Sequence, residues 1–526
     1  MTTAPHKLVT RLEDQHRELE IDFLKAYWDS QIQAGPETET RRAAAELELR
    51  RAKGDPAAYQ EVLEALDQPL HDPVLRRQLE VLRLSMTEDQ MDEALRSQIV
   101  ELSTAVEGEF ASYRPEVDGK RLSDNEIDNL LKTSADEPLR RAAWNASKEI
   151  GGVVGGRVRE LARLRNKAAH DRGFADYYRM ALELEELSEE WLFGLLDEVA
   201  AFTEEPFTRF KRELDDKLAR RFGVETVYPW HYADPFFQSM PPDGGVTIDH
   251  LVADASPPDL AARTFSGLGI DLDAILDASD LYPRENKSQH AFCISIDRGS
   301  DVRILANVVP DERWTTTMLH ECGHAAYDIS ISQDLPFLLR TPAHIFTTEA
   351  MAILSGRWAR NSEWLLRILG ADQAEIGELT QQLQKVEATE SLLFARWVLV
   401  MTHFERELYS DPESDLDRLW WELVAQFQLV NPPPDPRGSD WAAKIHIASA
   451  PVYYHNYLLG EILAKQIEDK LQRDAGGMID STAAGDLLKD RFFAPGNLMR
   501  WDALIEASLG SELSVKPFAE WVGGRL

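Results

Sequence analysis

The residues best suited to chemistry lie in the segment TTTMLHECGHAAYD, where His320, Glu321 and His324 form an HExxH pattern. Histidines four residues apart share one face of a helix, one turn from each other. Two imidazoles so placed can converge on one Zn²⁺ at ~2.0–2.1 Å. Glu321, next to the first candidate ligand, can then take a proton from an activated water. A helix is expected here in any case. Asp311 follows Pro310 as a candidate N-cap, and Met318, Leu319 and Cys322 supply apolar spacing. Two surface histidines on a solvated helix are the plain alternative.

Such a site needs a third protein ligand and an open position. The segment TPAHIFTTEAMAIL offers His344 and Glu349. Thr341 followed by Pro342 reads as an N-cap with proline at the first helical position. Residues five apart on a helix point about 140° from each other, so only one of the two can face the metal. Glu349 is favoured because a carboxylate balances the dication; a third histidine is the alternative.

Peptide hydrolysis builds negative charge on the former carbonyl oxygen, which needs hydrogen-bond donors. The block AAKIHIASAPVYYHNYLLGE (442–461) carries Lys444, His446, Tyr453, Tyr454 and Tyr457. Pro451 is expected to open a helix, on which Tyr457 shares a face with Tyr453 and Tyr454. Without the metal motif these tyrosines would read as core or interface, and Lys444 as a surface lysine.

These groups must be held by a mainly α fold. Residues 1–225 read as helix after helix, including VRELARLRNKAAHDRG (158–173) with Gly173 as a candidate C-cap. The run GGVVGG (151–156) lacks the strand and the GK[ST] ending of a phosphate loop, and reads as close helix packing or a hinge. Two Pro/Gly-rich breaks, SMPPDGG (239–245) and NPPPDPRG (431–438), read as surface loops. Residues 290–309 are different: HAFCISID and VRILANVV flank RGSD (298–301), a hairpin signal. The expected organisation is one peptidase unit of two halves, 1–245 as a helical lid and 246–526 as the catalytic half.

Composition narrows the partners. Lys plus Arg is 57 and Asp plus Glu is 91, a formal charge of −34 over 526 residues. A surface this negative repels phosphate, which argues against nucleic acid and against anionic membranes. It favours solubility and a bias toward cationic peptides. Only Cys293 and Cys322 are present, so a disulfide framework is excluded. The N-terminus lacks an apolar signal region and WVLVM (397–401) is too short to span a bilayer, so a cytoplasmic protein is expected. Oligomeric state is not encoded in any of these patterns.

Several of these residues carry a family resemblance. His290-Ala291 before the hairpin, HExGH followed by a glutamate, Asp334-Leu335-Pro336, Trp420-Trp421, Arg437 and AAKxHI resemble the angiotensin-converting-enzyme family of zinc dipeptidyl carboxypeptidases. LARLRNKAAHDRGFADYY (161–178) and FAEWV (518–522) fit as well. AFC (291–293), Asn307, YYHNYLLGE (453–461) and a glutamate 25 residues after the second histidine resemble the thimet-oligopeptidase and oligoendopeptidase group. The resemblance implies a helical ellipsoid divided by a deep channel, with one zinc ion held by His320, His324 and Glu349. It implies Glu321 as base and proton shuttle, and Tyr457 as oxyanion donor with His446 beside it. His290 and the Ala291 backbone would align an oligopeptide as an added strand, and Lys444 with Tyr454 or Tyr453 would hold its C-terminal carboxylate. Release of C-terminal dipeptides is the implied activity, with oligoendopeptidase action or a non-catalytic peptide-binding scaffold as alternatives. Three positions depart from the converting-enzyme pattern: the tyrosines lie one residue further from His446, Asn456 replaces a chloride-binding arginine, and Ile353 replaces an orienting aspartate.

Overall fold

A computed structural model of the protein describes residues 4–240 and 246–525. The fold is mainly helical, as expected. Among the described residues the extended pairs are two short antiparallel ribbons, Glu116–Val117 with Lys120–Arg121 and Phe292–Ser295 with Val302–Leu305. The second is the expected hairpin, with Cys293 opposite Ile304 and Ser295 opposite Val302.

The chain divides into two compact units that differ from the sequential halves expected on either side of residue 245. One unit comprises Met1–Gln90, Val246–Leu383 and Leu459–Pro517; the other comprises Met91–Gly245, Gln384–Leu458 and Phe518–Leu526. The reason is tertiary packing that residue order does not reveal. In the first unit the opening helices bury Leu12, Leu79 and Leu82 in one apolar cluster with Leu338, far downstream. Arg77 donates to the Asn497 carbonyl at 3.1 Å, and the Arg298 guanidinium at the hairpin turn clasps the Glu20 carboxylate at 2.6 and 2.9 Å.

Local signals explain the helix boundaries. Asp55 and Asp72 each cap a helix that opens with proline, their carboxylates accepting two backbone N–H groups apiece. In the second unit, the helix Glu137–His170 contains the GGVVGG run. A Cβ on Gly151 would stand 2.1 Å from the Ser439 carbonyl oxygen and one on Gly155 2.8 Å from Ser439 Oγ, so close packing is what these glycines permit. Gly173, at φ +84°, closes the chain back with its N–H on the His170 carbonyl at 2.9 Å. Residues 431–438 form a loop, and residues 241–245 of the other break lie outside the described residues.

Candidate metal centre and donor block

The motif helix spans Glu312–Ser330, and Asp311 caps it by accepting the Trp314 N–H at 2.7 Å. The next helix starts later than Thr341-Pro342 suggests. It runs Ile345–Arg357, and His344 is its cap, with Nδ1 accepting the Phe346 N–H at 3.2 Å. An imidazole nitrogen therefore replaces the expected threonine hydroxyl, and His344 serves the helix end. Glu349, one turn in, is the group that meets the histidines. Its Oε2 lies 3.8 Å from His320 Nε2 and 4.0 Å from His324 Nε2. One donor atom from each of the three residues fits within 4.8 Å, the only such group of His, Cys, Asp and Glu found among the described residues. Two imidazole nitrogens and one carboxylate at this spacing fit a small borderline-soft dication such as Zn²⁺.

Two glycines make the approach possible. A Cβ on Gly323 would lie 2.9 Å from the Ala352 Cα and 2.3 Å from Ser355 Oγ, so the motif and glutamate helices touch backbone to backbone there. A Cβ on Gly460 would lie 3.2 Å from the Glu349 Cβ and 3.2 Å from Ile353 Cδ1. Ile353 thus packs where the resemblance had implied an orienting aspartate. That service falls to Thr348, whose hydroxyl is 2.7 Å from His324 Nδ1. The tautomer in which Nδ1 donates to this hydroxyl leaves Nε2 as an acceptor on the Glu349 side.

Burial sets the protonation states. It lowers His320 to about 4, and burial together with the charge of His320 lowers His324 to about 3, so both imidazoles are neutral ligands at pH 7. Burial, then the charge of Glu349, raises Glu321 to about 8, against the pull of the Cys293 N–H that it accepts. A dication would favour the carboxylate form of both glutamates. Cys293 belongs to the strand Phe292–Ser295, whose ladder partner among the described residues is Val302–Leu305. His290 is exposed and Ala291 half-buried, immediately before that strand.

The donor block lies in the second unit. Tyr453 and Tyr457 stand edge to face at 5.2 Å, and Tyr454 and Tyr457 at 5.6 Å. They do so without the helix expected from Pro451: the helix spans His455–Asp474, and Val452, at φ +57°, turns the chain before it. The His446 ring is 5.2 Å from that of Tyr454. Lys444 is 9% exposed. Its Nζ donates to Gln238 Oε1 at 2.9 Å and lies 5.2, 5.5 and 5.7 Å from the ring centres of Phe236, Trp397 and Tyr454. Burial lowers it to about 8, opposed by Asp234 and Asp128. Asn456 is engaged elsewhere, donating to Glu185 at 3.2 Å. Arg437 pairs with Glu149 at 3.0 Å on the surface. The cage residues Phe236, Gln238 and Trp397, and Thr348 in the other unit, carry no motif signal.

A mainly helical chain in which an HExxH pair meets a glutamate from the following helix has the site architecture of a glutamate-type metallopeptidase. The comparisons with known proteins agree in kind. Residues 279–523 match the model of Peptidase family M3, and residues 2–205 match that of the angiotensin-converting enzyme family. The chain therefore combines features of both families, and the M3 match spans every residue of the candidate metal centre and donor block. Carboxypeptidase 1 of Bacillus subtilis (strain 168) is 23% identical over 273 residues, 46% of this chain and 53% of that protein. The chain thus spans about half the length of the curated relative it matches.

Proposed function

We propose that the protein is a zinc peptidase that hydrolyses oligopeptides and releases C-terminal dipeptides. The observation that carries the reading is the convergence of His320, His324 and Glu349, with Glu321 buried beside them and the M3 match running across all four. Bound there, the ion would supply Lewis acidity at the scissile carbonyl and lower the pKa of water. Glu321 would take a proton from the attacking water on its carboxylate and pass it to the departing amine. The Tyr457 O–H would donate a hydrogen bond to the oxygen that turns negative, with His446 as a second donor. His290 and the Ala291 backbone align the peptide beside the strand Phe292–Ser295.

Lys444 and Tyr454 set the exopeptidase character. The ammonium has three N–H groups and Gln238 takes one, which leaves two for a substrate carboxylate. The test is one peptide offered with a free and with an amidated C-terminus. Loss of cleavage on amidation is expected; equal cleavage of both forms would remove Lys444 from the reading. Oligoendopeptidase action is the second reading, favoured by the M3 match over 279–523 and by the 25-residue step from His324 to Glu349.

A further inference from the structure

The donor block depends on a strained residue. Val452 is β-branched and 2% exposed, yet sits at φ +57°, in the left-handed region that such side chains avoid. It separates the short helix His446–Ser449 from Tyr453, Tyr454 and the helix that carries Tyr457. Its N–H would be an orphaned buried donor but for one acceptor: Glu405 Oε1, at 2.9 Å, on the long helix Gln373–Ser410. Glu405 itself is 1% exposed.

A second buried group holds the other end of the same turn. Arg165 donates to the Ala448 carbonyl at 2.7 Å and to the Tyr409 hydroxyl at 3.1 Å. Asn166 donates to the Tyr409 carbonyl at 2.7 Å and accepts the Tyr177 N–H at 2.9 Å. Thus the segment between His446 and Tyr457 is fixed at Ala448 by Arg165 and at Val452 by Glu405.

We propose that Glu405 is a positioning residue: by accepting the Val452 N–H it holds the left-handed turn that aims Tyr453, Tyr454 and Tyr457. This rests on the reading of Tyr457 as a donor in the peptidase reaction. Burial raises the carboxyl to about 8, so its neutral form, which still offers a carbonyl oxygen to the N–H, prevails at pH 7. A glutamine there reproduces that form.

The test compares wild type, E405A, V452G and the double variant, with E405Q as the conservative control. E405A is expected to lower kcat at least tenfold and to raise KM for peptides with a free C-terminal carboxylate, with bound zinc unchanged. E405Q is expected to keep at least half of the wild-type kcat. Adding V452G to E405A is expected to raise kcat at least threefold, because glycine adopts φ > 0 without steric cost. Full kcat in E405A, or a double variant no faster than E405A, overturns the proposal. If E405A does not fold, recovery of a folded protein in the double variant supports it and failure to recover overturns it. A zinc-loaded wild type that cleaves no peptide defeats the peptidase reading alone. The link is then read from melting temperatures: E405A should lower Tm less in the V452G background than in wild type, and equal losses overturn it.

Discussion

The metal centre and the donor block handle charge in opposite ways. At the centre, burial strips protons from two histidines and draws protons toward a carboxyl, leaving neutral nitrogen donors beside latent anions. That set is stabilised by a cation brought from outside. The donor block instead keeps its own cation, Lys444, under three aromatic rings, and burial loosens its proton. One region gathers groups that a cation would stabilise, and the other gathers a cation that an anion would stabilise. The backbone follows the same contrast. The candidate metal ligands sit on two regular helices pressed together at Gly323, whereas the candidate donors follow a turn whose Val452 N–H is accepted by the buried Glu405.

The largest effect tests the base. Glu321→Gln should lower kcat by ~10²–10⁴-fold while bound zinc stays stoichiometric. Zinc lost with activity would make Glu321 a ligand rather than a base, and the contrast between the two regions would need redrawing. Next comes the tautomer. Thr348→Val should weaken zinc binding ~10–100-fold, read by competition with a chelator, because His324 Nδ1 loses its oxygen partner. Unchanged affinity would show that the hydroxyl orients nothing.

The donor block gives a smaller, pH-dependent effect. Lys444→Gln should raise KM about tenfold for peptides with a free carboxylate and leave amidated peptides unaffected. For wild type, KM should rise above pH about 8 as Lys444 loses its proton. Stability should move the other way. The folded pKa lies below the ordinary lysine value of 10.5, so between about 8 and 10.5 the unfolded chain holds more protons, and this group's penalty fades as pH rises. A KM flat through pH 9 would uncouple Lys444 from the substrate. The smallest effect comes from the net charge of −34: kcat/KM for a basic peptide should fall a few-fold more than for a neutral one between low and physiological salt. Equal slopes would show that the acidity does not reach the substrate.

How much of this was legible depends on range. His320 and His324 could be paired from a four-residue step because helix periodicity is local, and the Phe292–Ser295 and Val302–Leu305 hairpin follows from two β-branched runs around a turn. Charge balance favours Glu349 over His344, and the angular spacing that allows only one of them assumes a helix through both, whereas His344 caps the helix from outside it. Pro451 misled because Val452 adopts a conformation its side chain disfavours, held by Glu405 nearly fifty residues upstream. The cage around Lys444 draws on Phe236, Gln238 and Trp397, and Thr348 looks like any helix threonine. The units interleave for the same reason: Arg77 finds Asn497 and Glu20 finds Arg298, pairings that no local pattern announces.

The central claim is hydrolysis of peptides by the His320, His324 and Glu349 centre. Mass spectrometry of a peptide mixture, incubated with the protein alone, with a chelator, and with zinc restored, tests it most directly. The account predicts products two residues shorter at the C-terminus, absent with chelator and regained with zinc. Cleavage that ignores the chelator, or an intact mixture after incubation with zinc-loaded protein, would contradict it.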